Sequence, residues 1–436
     1  MKTIGTRGSQ LYPYPPVCNF EMLIEVSPLA IIALVGVTFD LVKMTPVFTG
    51  AALAAAVQYV AGLIVIGRRP TAAKIARLLG GRDHDALTRL REGDRWNVSK
   101  LMVAFIRIVS WLGVRGYLAI DDTLIPHPRG KKMKGVYWDH DHAQGKNVLG
   151  SRLVVILWSD GFFRIPVAYA FWHKKGARPK YRTKNEIART LLRWVIAQGI
   201  RPEYVAFDNW YASKENFKLI VKELGLEFVT KLKKNRRLVW EGKKLQARTI
   251  GRRLLRSARI YRRRDTGKWA RATRVQLGEL PAMTFVVVRD DLDGQGVGTG
   301  YLLASNPRLS ATRVVKRYGS RWIIETFFED LKGRLGLASY QGRSLEGQMC
   351  HVGLCFAACV VLDSLRRKSG MTLGEAKEAA CRLVFARTSS SRWQLVSLEP
   401  TPAEGLEELE DAKKMVSGRL WRVSKLRLPW RLKSAS

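Results

Sequence analysis

The chain has 436 residues, of which 47% are hydrophobic, so it is long enough for about two to four domains and apolar enough to fold around a sizeable core. Lys and Arg total 75 against 37 Asp and Glu, which gives a net charge of +38. A compact fold with this excess repels itself unless a polyanion shares its surface, and nucleic acid is the natural polyanion. The composition therefore excludes a mainly disordered chain and favours nucleic-acid binding over a merely basic background.

The cysteines and the apolar segments bear on the cellular compartment. The five cysteines are odd in number and form no C-x2-C pair, so they indicate a reducing cytoplasm rather than disulfides or zinc. Cys350, Cys355 and Cys359 are predicted to be buried core thiols. Residues 44–67 carry no charge and have the length of a bilayer-crossing helix, but their many Ala and Gly residues and Gln58 favour a buried helix. We therefore expect no stable membrane association and a cytoplasmic, nucleoid-associated protein.

Residues 1–112 are predicted to form a helical N-terminal region that takes part in binding DNA ends. Within it, residues 72–79 have apolar residues at helical spacing, with Thr71 as a cap and Gly80 as a stop. This segment is either the first helix of a helix-turn-helix or an ordinary amphipathic helix.

A different pattern follows, with β-branched strands, a hairpin at Asp160-Gly161, and then alternating helices and strands. This order predicts an α/β core, a mixed sheet flanked by helices, over residues 113–232 and 308–345. Residues 233–307 are predicted to form a β-rich insertion domain, and a single long helix is predicted over residues 310–335. Residues 346–436 are predicted to be a helical C-terminal region with a basic tail.

Three carboxylates stand at positions that suit catalysis. Asp122 is predicted to end the first strand, Asp208 ends a later strand, and Glu325 lies in the helix after the insertion. Strand ends converge at one edge of a sheet, and clustered carboxylates repel one another unless divalent cations bind them. Two such ions can activate water and stabilise a leaving oxygen in phosphoryl transfer. Each residue alone is more often a turn or cap residue.

The helix around Glu325 makes this interpretation more specific. Tyr318, Arg321, Glu325 and Lys332 are spaced Y-x2-R-x3-E-x6-K, which places them on about one face of a helix. A carboxylate among two cations and a phenol suits a metal ligand beside phosphate contacts, although a salt-bridged helix face has the same pattern.

With this signature, with Asp121-Asp122-Thr123 and with DNWYAS at 208–213, the sequence resembles bacterial insertion-sequence DDE transposases that have a ribonuclease-H-like core. The resemblance covers residues 68–365. It implies that Asp122, Asp208 and Glu325 hold two Mg²⁺ ions, which Mn²⁺ can replace. Asp122 is chosen over Asp121 because the family's first aspartate directly precedes the Thr.

The resemblance also implies the partners and the DNA contacts. The partners are double-stranded DNA, both the terminal inverted repeats and the target, and a second copy of the chain in a homodimer on DNA. Tyr318, Arg321 and Lys332 would contact phosphates, and Trp210 and Trp322 would stack on a displaced base. The alternative for both tryptophans is core packing.

Two rival functions stay open, and one metal site is disfavoured. A nuclease with the same core but no strand transfer, or a repurposed DNA-binding protein, would share these motifs. A membrane protein with a basic cytoplasmic domain is a third alternative. The run Asp139 to His142 has metal-ligand residue types, but four consecutive loop residues rarely chelate one ion, so a solvated loop or a DNA contact is the prediction.

Overall fold

The structure is a computed structural model, and it describes most of the chain between residues 46 and 397. The described residues are 46–48, 50–66, 69–93, 95–141, 145–176, 181–256, 261–262, 269–289, 298–366, 371–387 and 393–397. Residues 1–45 of the predicted N-terminal region, His142, most of the basic run after Arg256 and the predicted basic tail lie outside these ranges.

The described chain begins with four helices, and strands and helices are mixed from residue 117 onward. The helices are α1 (Ala51–Ile66), α2 (Ala72–Leu79), α3 (His84–Arg91), α4 (Val98–Leu112), α5 (Lys184–Ala197), α6 (Lys214–Lys218), α7 (Ala247–Arg256), α8 (Ala311–Gly319), α9 (Trp322–Arg334), α10 (Leu345–Arg366) and α11 (Leu373–Arg382). The strands are β1 (Tyr117–Pro126), β2 (Tyr137–Asp141), β3 (Lys146–Ser159), β4 (Ile165–Trp172), β5 (Val205–Phe207), β6 (Phe228–Lys231), β7 (Arg237–Trp240), β8 (Lys243–Gln246), β9 (Tyr261–Arg262), β10 (Trp269–Val275), β11 (Met283–Arg289), β12 (Gly300–Ala304), β13 (Leu383–Arg387) and β14 (Trp393–Ser397).

The described N-terminal part is helical, and side-chain caps set where its helices begin. The hydroxyl of Thr71 accepts from the third residue of α2, and Asp83 caps α3 in the same way. Buried Gln58 on α1 holds the turn between these two helices, because its Oε1 accepts from the Arg82 amide at 2.7 Å. Helices α2 and α3 are thus two short helices joined by a four-residue turn, and DNA binding by this pair stays a prediction.

Strand β1 lies inside the large sheet, between β3 and β5. It pairs antiparallel with β3, which pairs antiparallel with β4, and it pairs parallel with β5, which pairs parallel with β6. The order β4-β3-β1-β5-β6 is that of a ribonuclease-H-like mixed sheet, and helices flank it. The predicted fold class is confirmed. The expectation that Asp122 ends the first strand is wrong, because β1 continues to Pro126.

The segment predicted to be an insertion domain shares the sheet of the core. Strand β12 pairs antiparallel with β6, and β11, β10 and β9 follow in order, so the sheet extends through residues 261–304. Strands β7 and β8 form a separate hairpin, linked to the end of β10 by a bridge between Val239 and Gln276. Backbone hydrogen bonds therefore join much of residues 233–307 directly to the core.

The C-terminal part begins with helix α10, which lies inside the protein. This helix is long and apolar enough to cross a membrane, but 83% of its most apolar stretch is buried. Cys350, Cys355 and Cys359 on this helix are buried, as predicted. Helix α1, within the uncharged segment 44–67, is likewise largely buried. After α11 the chain forms the β13–β14 hairpin, which the prediction of a helical region did not include.

Candidate active site

Strand alternation decides which aspartate of the Asp121-Asp122 pair faces Glu325. Successive side chains on a strand point to opposite faces of the sheet. The parallel register pairs Ile120 with Phe207, so Asp121 and Asp208 are the next residues on two neighbouring strands. One face of this part of the sheet packs under α8 through Tyr117, Tyr204 and Ala206. By alternation, Asp121 and Asp208 belong to the same face. Asp122 therefore belongs to the opposite face.

Arg321 joins two of the carboxylates. Its Nη1 donates to Oδ2 of Asp121 at 2.9 Å, and its Nη2 donates to Oε1 of Glu325. The three side chains are 11%, 19% and 27% exposed, so they lie near the surface but are mostly shielded from water. The structure thus brings together Asp121, Arg321 and Glu325, of which sequence reasoning had named the last two and had chosen Asp122 in place of the first.

Asp208 completes this acidic group and is fixed by its own loop. Its Oδ1 accepts from the amide of Trp210 at 2.8 Å and from that of Tyr211 at 3.4 Å. This is a turn contact of the kind that aspartate makes after a strand. Its charge still acts on Asp121, because burial and the charges of Asp208 and Asp122 raise the pKa of Asp121 to about 7, against the opposing effect of Arg321. Burial likewise raises the pKa of Asp208.

A break in the predicted long helix orients Arg321 and Glu325. The helix predicted over residues 310–335 is two helices, α8 and α9, that meet at Ser320 and Arg321. Tyr117 donates to the Ser320 carbonyl at 3.0 Å, and the Tyr204 hydroxyl lies 2.8 Å from the Ser320 hydroxyl. The two tyrosine rings are stacked, with their centroids 5.1 Å apart. Two strands of the sheet therefore hold the start of the helix that carries Glu325.

Asp122 lies on the other face and is engaged there by three side chains, and none of the described contacts joins it to Glu325. Its Oδ1 accepts from Lys184 Nζ at 2.9 Å and from the Tyr211 hydroxyl at 2.8 Å. Its Oδ2 accepts from Arg152 Nη1 at 2.8 Å and from Lys184 Nζ at 3.0 Å. Only 7% of the Asp122 side chain is exposed. Sequence reasoning missed Arg152 and Lys184, which lie outside the three motifs, and it gave no role to Tyr211, which lies within DNWYAS.

The remaining predicted DNA contacts lie around this group. Trp210 and Trp322 are 51% and 57% exposed, so neither is a core residue. Tyr318 is partly buried, with the Arg321 guanidinium 5.6 Å from its ring centre. Lys332 is exposed on α9 and interacts with the charges of Asp141 and Arg152. The residues from Asp139 to Asp141, which were predicted to lie in a loop, belong to strand β2. The Asp139 carboxylate forms an ion pair with Arg152.

Comparisons with known proteins show the family of the chain. The family described as DDE superfamily endonuclease matches residues 43–294, which is more than half of the chain. The chain belongs to the DDE superfamily of endonucleases. It is 24% identical to a probable transposase for insertion sequence element IS701 from Microchaete diplosiphon, over 63% of this chain and 73% of that protein. Among solved structures, a piggyBac transposase synaptic complex with hairpin DNA is similar with a TM-score of 0.45 and 13% identity, covering 91% of this chain and 84% of that one.

The DDE assignment confirms the family predicted from the three motifs, an insertion-sequence transposase that acts on DNA. The matched segment includes Asp121, Asp122 and Asp208 but ends before Glu325. The place of Glu325 in the site of this DDE enzyme therefore depends on the contact through Arg321.

The carboxylates of the DDE site suit a divalent metal, although they do not converge on one point. Among the described residues, no three side chains of His, Cys, Asp or Glu are grouped closely enough to hold an ion. The Arg321 guanidinium lies between Asp121 and Glu325, and its Nε is buried without a hydrogen-bond partner. Hard carboxylate oxygens are the ligands that Mg²⁺ prefers, and a cation beside Asp121 would offset the charges of Asp208 and Asp122, which together with burial raise the pKa of Asp121. The donor types therefore fit Mg²⁺, while in this structure the Arg321 guanidinium stands between two of the carboxylates.

Proposed function

We propose that this DDE transposase cleaves DNA at the terminal inverted repeats of its insertion sequence and joins the freed ends to target DNA, as a cut-and-paste enzyme. Asp121, Asp208 and Glu325 are the proposed metal-holding carboxylates. The observation that carries the proposal is the shared contact of Arg321 with Asp121 and Glu325, on the sheet face to which Asp208 belongs. Asp121 thereby takes the place that the sequence motif gave to Asp122.

The metal would be two Mg²⁺ ions, which Mn²⁺ can replace, and bound there they supply an activated water and charge stabilisation for phosphoryl transfer. The protein's own groups supply position and charge. Arg321 is a cation next to the carboxylates, and when it leaves them its guanidinium can bind a phosphate in a bidentate way. Exposed Lys332 extends the positive charge along α9. Tyr117 and Tyr204 keep Glu325 in place through Ser320.

The proposed partners follow from the reaction and the charge. A net charge of +38 suits a long DNA duplex with many neutralised phosphates. Two ends must be joined to one target, so we propose a homodimer assembled on DNA. Because its proposed substrate is chromosomal DNA, we propose that the protein acts at the nucleoid in the cytoplasm.

Cleavage of end-labelled DNA tests the proposal. The substrate is the DNA that flanks the coding region, with its inverted repeats, and the products are resolved as nicks, double-strand breaks and joined molecules. Asp121→Asn, Asp208→Asn and Glu325→Gln should each lower cleavage at least 100-fold and leave DNA affinity within a few-fold, since the basic surface is intact. The matched control is Glu279→Gln, at a carboxylate that is 75% exposed and pairs only with surface lysines in the described contacts.

Metal dependence and product type give two further outcomes. Cleavage should require Mg²⁺ or Mn²⁺, and full cleavage in excess EDTA would refute the metal mechanism. Nicked ends without joined products would identify a nuclease that lacks strand transfer. Normal cleavage by Asp121→Asn would remove that residue from the site.

A further inference from the structure

The Asp122 carboxylate holds a lysine against an exposed indole. Lys184, the first residue of α5, contacts both oxygens of Asp122, and its Nζ lies 4.2 Å from the centre of the Trp210 ring. Lys184 is only 14% exposed, whereas the Trp210 residue is 51% exposed. A second cation, Lys233 Nζ, lies 6.0 Å from the same ring. We call Lys184, Trp210 and Lys233 the indole platform.

The backbone beneath Trp210 is also held in place. Asn185, next to Lys184, donates from Nδ2 to the Trp210 carbonyl at 3.4 Å. Buried Asn216 donates to the Tyr211 carbonyl and to the Asn185 side chain, both at 2.7 Å. The Trp210 amide donates to Asp208. The indole is therefore exposed, while the backbone that carries it is held by hydrogen bonds on both sides.

We propose that the indole platform binds one nucleotide of a DNA strand beside the active site, and that Asp122 is a positioning residue for it rather than a metal ligand. The inference rests on the proposed DNA cleavage function. An indole flanked by two lysines presents a stacking surface for a base and positive charge for the adjoining phosphate. Trp210 is two residues from Asp208, so a strand on the platform lies next to the proposed carboxylates. Asp122 acts through Lys184, because its charge fixes the ammonium over the ring.

Two 12-residue oligonucleotides test the base and the phosphate separately. One is fluorescein-labelled dT12, and the other is an abasic chain of the same length and charge. Both are titrated with the full-length protein without metal. The measured quantity is the Kd ratio, which is the Kd of the abasic chain divided by the Kd of dT12. Stacking should make dT12 bind roughly 5- to 150-fold more tightly to the unaltered protein. Because neither transposon ends nor cleavage is involved, the result does not depend on whether the cleavage assay succeeds.

The variants separate positioning from general damage. Trp210→Ala should lower the Kd ratio at least fivefold. Asp122→Asn and Lys184→Met should each lower it by several-fold, and the double variant should lower it no further than the larger single effect, because both break the same contact. The matched control Lys222→Met, at an exposed lysine that pairs with Glu279, should leave the ratio unchanged. Melting curves identify any variant that does not fold. If Asp122→Asn is unstable, Lys184→Met still removes the contact between Lys184 and Asp122.

Two results would overturn the inference. The first is an unchanged Kd ratio in folded Lys184→Met or Asp122→Asn, which would make the contacts of Asp122 purely structural. The second comes from the cleavage assay: loss of cleavage in Asp122→Asn together with full cleavage in Asp121→Asn would make Asp122 the metal ligand. Loss of cleavage in both, with a lowered Kd ratio in Asp122→Asn alone, supports the separate roles.

Discussion

Buried His351 gives a quantitative test of how the helix that carries Glu325 is attached to the N-terminal helices. Its Nε2–H donates to the Gly336 carbonyl, just beyond α9, at 3.0 Å, and its Nδ1 accepts from the Tyr59 hydroxyl on α1 at 3.1 Å. The neutral ring with its proton on Nε2 makes both contacts. Burial lowers the pKa of His351 to about 4, from an ordinary value of 6.5.

The sign of the effect follows from the two pKa values. Because the folded-state pKa is below the unfolded one, the stability that neutral His351 provides is complete above pH 6.5 and is lost as the pH falls from 6.5 to about 4. The difference between the two values corresponds to roughly 3 kcal/mol. With an unfolding entropy of roughly 2 cal/mol/K per residue, the loss lowers Tm by about 3–4 °C.

The perturbation is His351→Gln, and the measurement is Tm between pH 7 and pH 4 for both proteins. At pH 7 the unaltered protein should melt higher, and its advantage should shrink by about 3–4 °C as the pH falls. The neighbouring titratable groups are present in both proteins, so their own titration largely cancels in the difference. They are Tyr59, Tyr340, Arg91, Cys355 and His127, and burial lowers the pKa of His127 to about 4 as well. Curves that stay parallel over this range would refute the reasoning.

Three further predictions concern stability and the site. Asp363→Asn should cost roughly 3–5 kcal/mol in thermal unfolding, because Asp363 is fully buried and pairs with buried Arg164 at 2.8 Å; a change under 1 kcal/mol would contradict this. Trp322→Ala should change stability by less than about 0.5 kcal/mol, since the indole is exposed, but weaken binding of single-stranded DNA in an anisotropy titration. Tyr117→Phe should cost about 1 kcal/mol and lower the cleavage rate, because Ser320 loses a donor at the helix break; unchanged cleavage would show that the break needs only Tyr204.

The fold class was predictable because local patterns and short-range order determine it. Alternating strands with the hairpin at Asp160-Gly161, followed by helix and strand, predicted the mixed sheet that is observed. The place of residues 233–307 was not predictable. Strand β12 pairs with β6 across about seventy residues of chain, and such long-range pairing leaves no mark on local periodicity.

The site was predictable at the level of motifs and less so at the level of single side chains. Asp208, Arg321 and Glu325 were named from spacing, and the contact between the last two is present. The choice between Asp121 and Asp122 needed the strand register, because adjacent residues face opposite sides of the sheet. Lys184 and Tyr211 lie 62 and 89 residues from Asp122 in the chain, so only the folded structure brings them to it.

The position of β12 between β6 and β11 has a consequence for how the enzyme is made on the ribosome. Until about residue 304 has emerged, β6 is an open edge of the sheet, and the strands beyond it cannot be attached to the core. Glu325 is synthesised later still, about two hundred residues after Asp121. On the proposed function, a nascent or prematurely terminated chain that lacks Glu325 has part of the basic surface but not the full set of proposed metal-holding carboxylates. Cleavage of DNA near the site of synthesis would then require a chain in which about three quarters of the residues have been made.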